Sequence, residues 1–183
     1  ILLYKLPECA VKFTAYAGLD NTGTDQGSKS SVEFMVCNYD PTIRTETTDQ
    51  WNGGNKTIKV DPSRQAATSG FIGKDAGVKS AQIEADITGA EKLYLVVTDG
   101  GDGLSYDHAD WANPVLIDKD GNEHSLTEIA WDANPINGWN APKLNKNNDG
   151  NTMTINGVAY DKGFGVNAPS MLTFTLPEGH QYV

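Results

Sequence analysis

The feature that most constrains this chain is a series of short segments in which apolar and polar residues alternate. Residues 81–87 alternate without interruption, and residues 11–17 follow the same pattern. Alternation with a period of two places one face of a strand against a core and the other face in solvent. Residues 93–97 form a continuous apolar run, which is typical of a strand that is buried on both faces. The chain is therefore expected to consist mainly of β-strands.

Tight turns separate these segments. Gly, Asp and Asn account for 50 of the 183 residues, and all three are favoured in turns. Asn156-Gly157 lies between two short apolar segments and predicts a hairpin with a type I′ turn. No capped amphipathic pattern extends beyond about two helical turns. These observations predict an all-β fold, a β-sandwich, in which residues 39–79 form a long loop between two strands.

The two ends of the chain carry the same short segment. Residues 1–8 read ILLYKLPE, and residues 171–178 read MLTFTLPE. Solenoid repeats recur every 20–50 residues or so, and this spacing is far longer. The repeat therefore indicates tandem copies of one domain that have been cut out of phase.

Charge and hydropathy exclude several classes of function. The net charge is −10, whereas a protein that tracks phosphates needs a basic stripe, so no nucleic-acid partner is expected. Anionic membrane surfaces are disfavoured for the same reason. No apolar run reaches about 18 residues, so no membrane span is predicted. The chain also begins without a charged-then-apolar leader, which predicts a mature or excised piece.

The two cysteines are too few for a disulfide scaffold. Cys37 ends an apolar strand, which favours a buried thiol. A bridge between Cys9 and Cys37 is the alternative, and it depends on a geometry that the sequence does not give.

Two groups of motifs carry a family resemblance. The first group contains Gly18-Leu19-Asp20-Asn21, residues 31–36, residues 86–103 and Asp107-His108-Ala109-Asp110-Trp111-Ala112. The second group contains Trp131, Gly138-Trp139, Asn156-Gly157 and residues 160–170, which include Lys162-Gly163-Phe164-Gly165. In combination these motifs resemble the NPCBM family of carbohydrate-binding modules, a galactose-binding group found on bacterial glycoside hydrolases.

The resemblance implies a galactose-binding-like, jelly-roll sandwich whose order is circularly permuted. In the family the second group of motifs comes first, so residues 1–118 look like the later part of one module and residues 126–183 like the first part of the next. We expect residues 1–183 to form a single sandwich in which 126–183 closes on 1–118, because a short linker gives a high effective concentration. The alternative is a strand-swapped dimer or polymer of tandem copies.

A sugar site needs an aromatic face and planar hydrogen-bonding side chains. Trp139 and Tyr106 are candidates for the aromatic face, whereas Trp111 and Trp131 are expected in the core. The polar candidates are Asn167, His108, Asp20 and Asn21, and the last three match family positions. The family usually has histidine at position 167, so the asparagine is a departure that leaves galactose specificity open.

The same region offers oxygen ligands for a metal. Asp102, Asp107 and Asp110 lie in and next to a Gly-rich segment, and carboxylates suit Ca²⁺ better than Zn²⁺. The resemblance implies a structural calcium ion at these residues. The alternative is that they are solvated acids in turns.

These observations predict non-catalytic binding of glycans that end in galactose-type sugars. The module would target an attached glycoside hydrolase or a surface protein, and it would be secreted or lie at the cell surface. The alternative is a structural or adhesive spacer domain in a tandem array, without sugar binding. A glycosidase is a distant third, because it needs two carboxylates placed about 5–10 Å apart across a sugar, and no cleft is predicted around the acidic residues.

Overall fold

A computed structural model describes residues 10–25, 30–41, 58, 60–61, 65–73, 77–101 and 105–176. The strands in these ranges are β1 (Ala10–Leu19), β2 (Ser31–Cys37), β3 (Gln65–Gly73), β4 (Ser80–Asp86), β5 (Lys92–Thr98), β6 (His108–Asp118), β7 (Glu123–Ser125), β8 (Lys143–Leu144), β9 (Met153–Ile155), β10 (Val158–Tyr160), β11 (Gly163–Asn167) and β12 (Ser170–Thr175). A four-residue helix, α1 (Asn21–Thr24), follows β1. None of the described helices is long and apolar enough to cross a membrane.

The strands form two antiparallel sheets and a separate hairpin. The front sheet has the order β4-β1-β6-β11-β8, and β7 pairs with the end of β6. The back sheet has the order β12-β5-β2-β3, and β9 pairs with β10. The inward residues of both sheets belong to one apolar cluster. The all-β sandwich predicted from the alternation is thus confirmed.

Aromatic rings fill the space between the sheets. Trp111 of β6 is fully buried, and it meets Phe34 of the back sheet edge-on with ring centroids 4.9 Å apart. Phe13 approaches the same indole at 6.1 Å. Phe164 of β11 packs on Phe174 of β12, with centroids 5.4 Å apart. Strands from both ends of the chain therefore contribute to one core.

Several strands lie where the alternation predicts them. Strands β4 and β5 differ from the segments predicted at residues 81–87 and 93–97 by one residue at each end. On β5 the odd-numbered residues face the main core, whereas Tyr94 and Val96 join a second apolar cluster on the other face. Asn156 and Gly157 have φ values of 51° and 80°, as the predicted hairpin turn requires.

Two predictions about loops were wrong. Residues 65–73 lie inside the predicted 39–79 loop, yet they form β3 at the edge of the back sheet. Pairing with β2 orders this segment although its own sequence is rich in small residues. The sequence placed Asp110 in or next to a Gly-rich segment, with a turn as its alternative setting, but Asp110 lies in β6, which begins at His108. Its first residues are held between β1 and β11, and neither partner is adjacent to them in sequence.

Strands from the last third of the chain complete both sheets. Strand β11 pairs with β6 in the front sheet, and β12 pairs with β5 in the back sheet. These contacts lie within one chain. The interpretation of residues 1–118 and 126–183 as parts of two successive modules stays a prediction, as does the permuted order. The repeated segment at residues 1–8 and Cys9 lie outside the described residues, and Cys37 is a buried thiol.

The shared core makes a prediction about cooperativity. Replacing Phe164 by Ala should destabilise the protein by about 3–5 kcal/mol, because the ring is fully buried against Phe174 and Trp131. Urea unfolding followed by tryptophan fluorescence measures this loss. Leu144→Ala is the control, since its side chain on β8 is 46% exposed. Two separate transitions, of which only one shifts, would contradict a core shared by both ends of the chain.

Candidate functional site

Polar side chains gather on the outward face of the front sheet, at the start of β6 and the end of β11. The apolar residues of these strands point into the core, so the alternate residues point outward. His108 lies opposite Asn167, and Asp110 lies opposite Gly165. Residues paired across antiparallel strands share a face, so these four positions form one outward group.

Asp20 connects three separate segments beneath this group. It follows β1, is fully buried, and caps α1 by accepting hydrogen bonds from the backbone N and the hydroxyl of Thr22, at 2.9 and 2.5 Å. Its second carboxylate oxygen accepts the backbone N–H of Thr154, at 2.9 Å. The side-chain amide of Asn147 donates to its first oxygen at 3.0 Å. One carboxylate therefore fixes the helix, the β9–β10 hairpin and the loop around Asn147.

Asp110 is the second buried carboxyl group at this position. Among the described residues, no N–H or hydroxyl donor reaches either of its oxygens. Burial, and then the negative charge of Asp20, raise the pKa of Asp110 well above its usual range. Burial also raises the pKa of Asp20, but hydrogen bonds from Thr22, Asp110 and Thr154 outweigh that effect and lower it. The raised pKa of Asp110 and the lowered pKa of Asp20 favour a pair in which Asp110 is the neutral acid and donates to the Asp20 carboxylate.

The loop around Asn147 lies directly over β11. A Cβ atom at Gly165 would collide with the backbone of Lys146 and Asn147, so only glycine allows this approach. The side-chain oxygen of Asn147 accepts hydrogen bonds from the backbone N–H groups of Asp149 and Asn151, at 3.1 and 2.8 Å. This places a carboxylate oxygen of Asp149 at 3.5 Å from Nδ1 of His108. The loop thereby brings an acidic side chain to the outward group.

Trp139 lies on a second loop that asparagine side chains hold in place. The amides of Asn137 and Asn148 both donate to its carbonyl oxygen, at 2.7 and 3.1 Å. The Asn137 amide also donates to the carbonyl of Asn140 and to the side chain of Asn148. With the backbone fixed, the Trp139 residue is still 65% exposed. The arrangement presents an indole to solvent on a backbone that is already ordered.

Asn167 connects this loop to β11. Its backbone N–H donates to the side chain of Asn137, and its carbonyl accepts from the N–H of Gly138. A Cβ atom at Gly138 would lie 3.1 Å from the Asn167 side-chain oxygen, so the loop passes next to that oxygen. The residue is only 2% exposed, and no donor among the described residues reaches the oxygen. A buried acceptor without a donor is costly, so this is a position where a bound hydroxyl group would be stabilised.

The structure brings some of the predicted sugar-binding residues together. Asn167 and His108 are cross-strand neighbours, and the loop of Trp139 lies next to them. Asp20 lies beneath them with both oxygens already hydrogen-bonded to protein groups. The assignment of these residues to a sugar site stays a prediction.

The remaining two predicted residues lie around α1. Asn21 is the first residue of this helix, and its side chain accepts a hydrogen bond from Gly157, at 3.4 Å. Tyr106 is 48% exposed and has a positive φ of 68°, and its carbonyl lies against Gly23 of α1. Asn21 and Tyr106 lie on the His108 side of the outward group. The backbone N–H of Asp20, which precedes α1, donates to the carbonyl of His108 and so holds α1 there.

Sequence reasoning missed the residues that organise the site. Asn147 and Asn148 are almost completely buried, and they order the two loops together with Asn137 and Asp149. The signal was present in the run NKNNDGN at residues 145–151, which is unusually rich in Asn. Such a run is also typical of an exposed turn, so it does not by itself reveal a buried network.

Only two of the three predicted metal ligands, Asp107 and Asp110, lie in the described part of the chain. Asp102 lies outside the described residues. The Asp107 carboxylate accepts the N–H of Ser31, at 3.1 Å, and so reaches toward the back sheet. Asp110 interacts instead with Asp20 on the outward face. Asp107 and Asp110 therefore point apart, and no cluster of three potential metal ligands is found among the described residues. Calcium binding stays a prediction.

Comparison with known proteins shows which family model the chain matches. The profile of the NPCBM/NEW2 domain matches residues 57–117 and again residues 122–182, together about two thirds of the chain. The first match begins within residues 39–79, which were predicted to form a loop. It does not include the motifs at residues 18–36 that contributed to the resemblance. No curated protein and no solved structure matches the chain.

The proton shared by the carboxyl pair makes a prediction about pH. When unfolded, Asp110 ionises near pH 4, whereas the folded group keeps its proton to higher pH. The unfolded state then binds fewer protons, so this group lowers stability as the pH rises above about 4. The side chain in Asp110→Asn can donate to Asp20 without titrating. The free energy of unfolding of this variant, relative to that of the parent protein, should therefore rise by up to about 1.4 kcal/mol per pH unit over that range. Urea unfolding between pH 4 and 8 measures the difference, and a constant difference would show that Asp110 titrates normally.

Proposed function

Because the chain belongs to the NPCBM/NEW2 family of carbohydrate-binding-like domains, we propose that it binds terminal galactose-type sugars at the outward group on β6 and β11. The observation that supports this site is the buried side-chain oxygen of Asn167, which has no donor among the described residues. A sugar hydroxyl can donate a hydrogen bond to such an oxygen.

The exposed indole supplies the second requirement for sugar recognition. The C–H face of a galactose-type ring is apolar and stacks on an aromatic side chain. Trp139 presents its indole within one residue of Gly138, whose N–H is bonded to the carbonyl of Asn167. A sugar stacked on Trp139 can thus direct one of its hydroxyls toward Asn167.

Planar polar groups complete the proposed site. The imidazole of His108 and the carboxylate of Asp149 lie 3.5 Å apart beside Asn167, and both can hydrogen-bond to neighbouring sugar hydroxyls. We assign Asp20 a positioning role, because its oxygens already accept protein donors and hold the Asn147 loop in place. The loops are ordered before a sugar arrives, which limits the entropy lost on binding.

The proposed role is non-catalytic. The module would target an attached glycoside hydrolase or a surface protein to glycans, in a secreted or cell-surface setting. Binding at one small site is weak, and tandem copies would raise the overall affinity for a glycan surface through avidity.

The proposal predicts the effect of two substitutions. Trp139→Ala and Asn167→Ala should each weaken binding of methyl galactoside at least about tenfold, through lost stacking and a lost acceptor. Titration calorimetry measures the affinity, after a glycan array has identified the terminal sugar. Val158→Ala is the matched control, because Val158 is 54% exposed on the β9–β10 hairpin and outside the proposed site.

Other outcomes separate the alternatives. A folded chain that binds no glycan on the array would favour the spacer domain over a sugar-binding module. Turnover of an aryl galactoside that is lost in Asp149→Asn would show a glycosidase instead.

A further inference from the structure

Three atoms that can accept hydrogen bonds lie together at the outward group. The side-chain oxygen of Asn167 and Nδ1 of its cross-strand neighbour His108 are buried, and no donor in the described part of the chain reaches either atom. A carboxylate oxygen of Asp149 lies 3.5 Å from that nitrogen. Amide and carboxylate oxygens accept hydrogen bonds, and so does Nδ1 in the tautomer that carries its proton on Nε2. The set therefore favours a ligand group that brings several donors and no acceptor.

The charge at this position calls for a cation. Asp149 contacts no lysine or arginine within the described residues, and its side chain is 37% exposed, so a ligand can reach it. Lys143 of β8 lies opposite Gly165 of β11, on the same face of the sheet, but it does not pair with Asp149. The whole chain adds a net charge of −10. A positively charged group is thus the electrostatic complement of this site.

A protonated amine meets both requirements, because it carries a positive charge, three N–H donors and no acceptor. We propose that the sugar site selects sugars with a free amine, of the galactosamine type, and that Asp149 is the counter-ion of that amine. The inference rests on the proposed function and names the class of sugar within it. His108 and Asn167 then accept the remaining N–H groups and a neighbouring hydroxyl.

The exposed indole suits the same ligand. Asn148, which directly precedes Asp149, donates its side-chain amide to the carbonyl of Trp139, at 3.1 Å. The loop that presents the indole is therefore bonded to the loop that presents the carboxylate. An ammonium group within about 6 Å of a tryptophan ring is attracted to the face of that ring. Trp139 can thus contribute to binding of the sugar ring and of its charge.

The same arrangement works against two other kinds of sugar. N-acetylation removes the charge of the amine and all but one of its N–H donors, and it adds a carbonyl oxygen that would meet the acceptors of the site. A sugar with its own carboxylate would meet the negative charge of Asp149. Specificity is a difference between affinities, and unpaired acceptors and like charges lower the affinity for both competitors.

Titration calorimetry with three methyl glycosides tests the inference. The glycosides of galactosamine, galactose and N-acetylgalactosamine differ only at carbon 2. At about pH 7, where the amine is largely protonated, we expect the galactosamine glycoside to bind about tenfold more tightly than the galactose glycoside. The N-acetylated glycoside should bind no more tightly than the galactose glycoside.

Asp149→Asn removes the charge and keeps the shape of the side chain. The backbone N–H of Asp149 still donates to the side chain of Asn147, so the loop keeps its anchor. The ratio of the two affinities, galactosamine over galactose, should fall from about ten to about one, because the ammonium loses its counter-ion. A change in this ratio separates the role in selectivity from a general loss of sugar binding.

Asp161→Asn is the matched control. It makes the same change of charge at an exposed residue just before the other end of β11 and should leave the ratio unchanged. Equal affinities for the two glycosides in the parent protein, or an unchanged ratio in Asp149→Asn, would overturn this inference and leave sugar binding standing. If none of the three glycosides binds, the proposed function fails and the inference fails with it.

A polymer gives a second test that needs no variant. Poly-N-acetylgalactosamine that has been chemically de-N-acetylated should bind the parent chain when it is printed on an array. Treatment of the same spots with acetic anhydride restores the acetamides and should abolish this binding. Binding that survives re-acetylation would show that the free amine is not what the site recognises.

Discussion

Hydrogen bonding along both edges of β6 is the interaction on which the structure depends. One edge pairs with β1, and the other pairs with β11 and then with β7. The same strand places Trp111 in the core and His108 on the outward face. Without the pairing to β11, the last third of the chain would lose its place in the front sheet, and Asn167 would lose its position beside His108.

A buried pair of carboxyl groups determines the shape of the outward site. Two negative charges would be unfavourable at this depth, so Asp110 keeps a proton while Asp20 accepts hydrogen bonds from three segments. The Asn147 loop is fixed by this anion and in turn contacts the loop of Trp139 through neighbouring asparagines. The exposed groups proposed to meet a sugar are thus held by residues that no sugar would touch.

Strand positions could be predicted wherever a segment carries its own pattern. Alternation predicted β1 and β4, and the Asn-Gly pair predicted the β9–β10 turn. Strand β3 could not be predicted, because its small residues become a strand only by pairing with β2. The repeat of residues 1–8 at 171–178 was visible in the sequence, but only the structure shows which residues of β12 face the core.

The sequence by itself determined the all-β class, the apolar faces of most strands, the acidic surface charge and the residue types available to a sugar site. Only the tertiary structure decided which of those residues meet. It placed Asp107 and Asp110 on opposite sides and Asn167 beside His108, and it buried Asn147 within a segment whose sequence is typical of an exposed turn. The reason is physical: alternation is a local property of the chain, whereas pairing, burial and the resulting pKa values depend on segments that are distant in sequence.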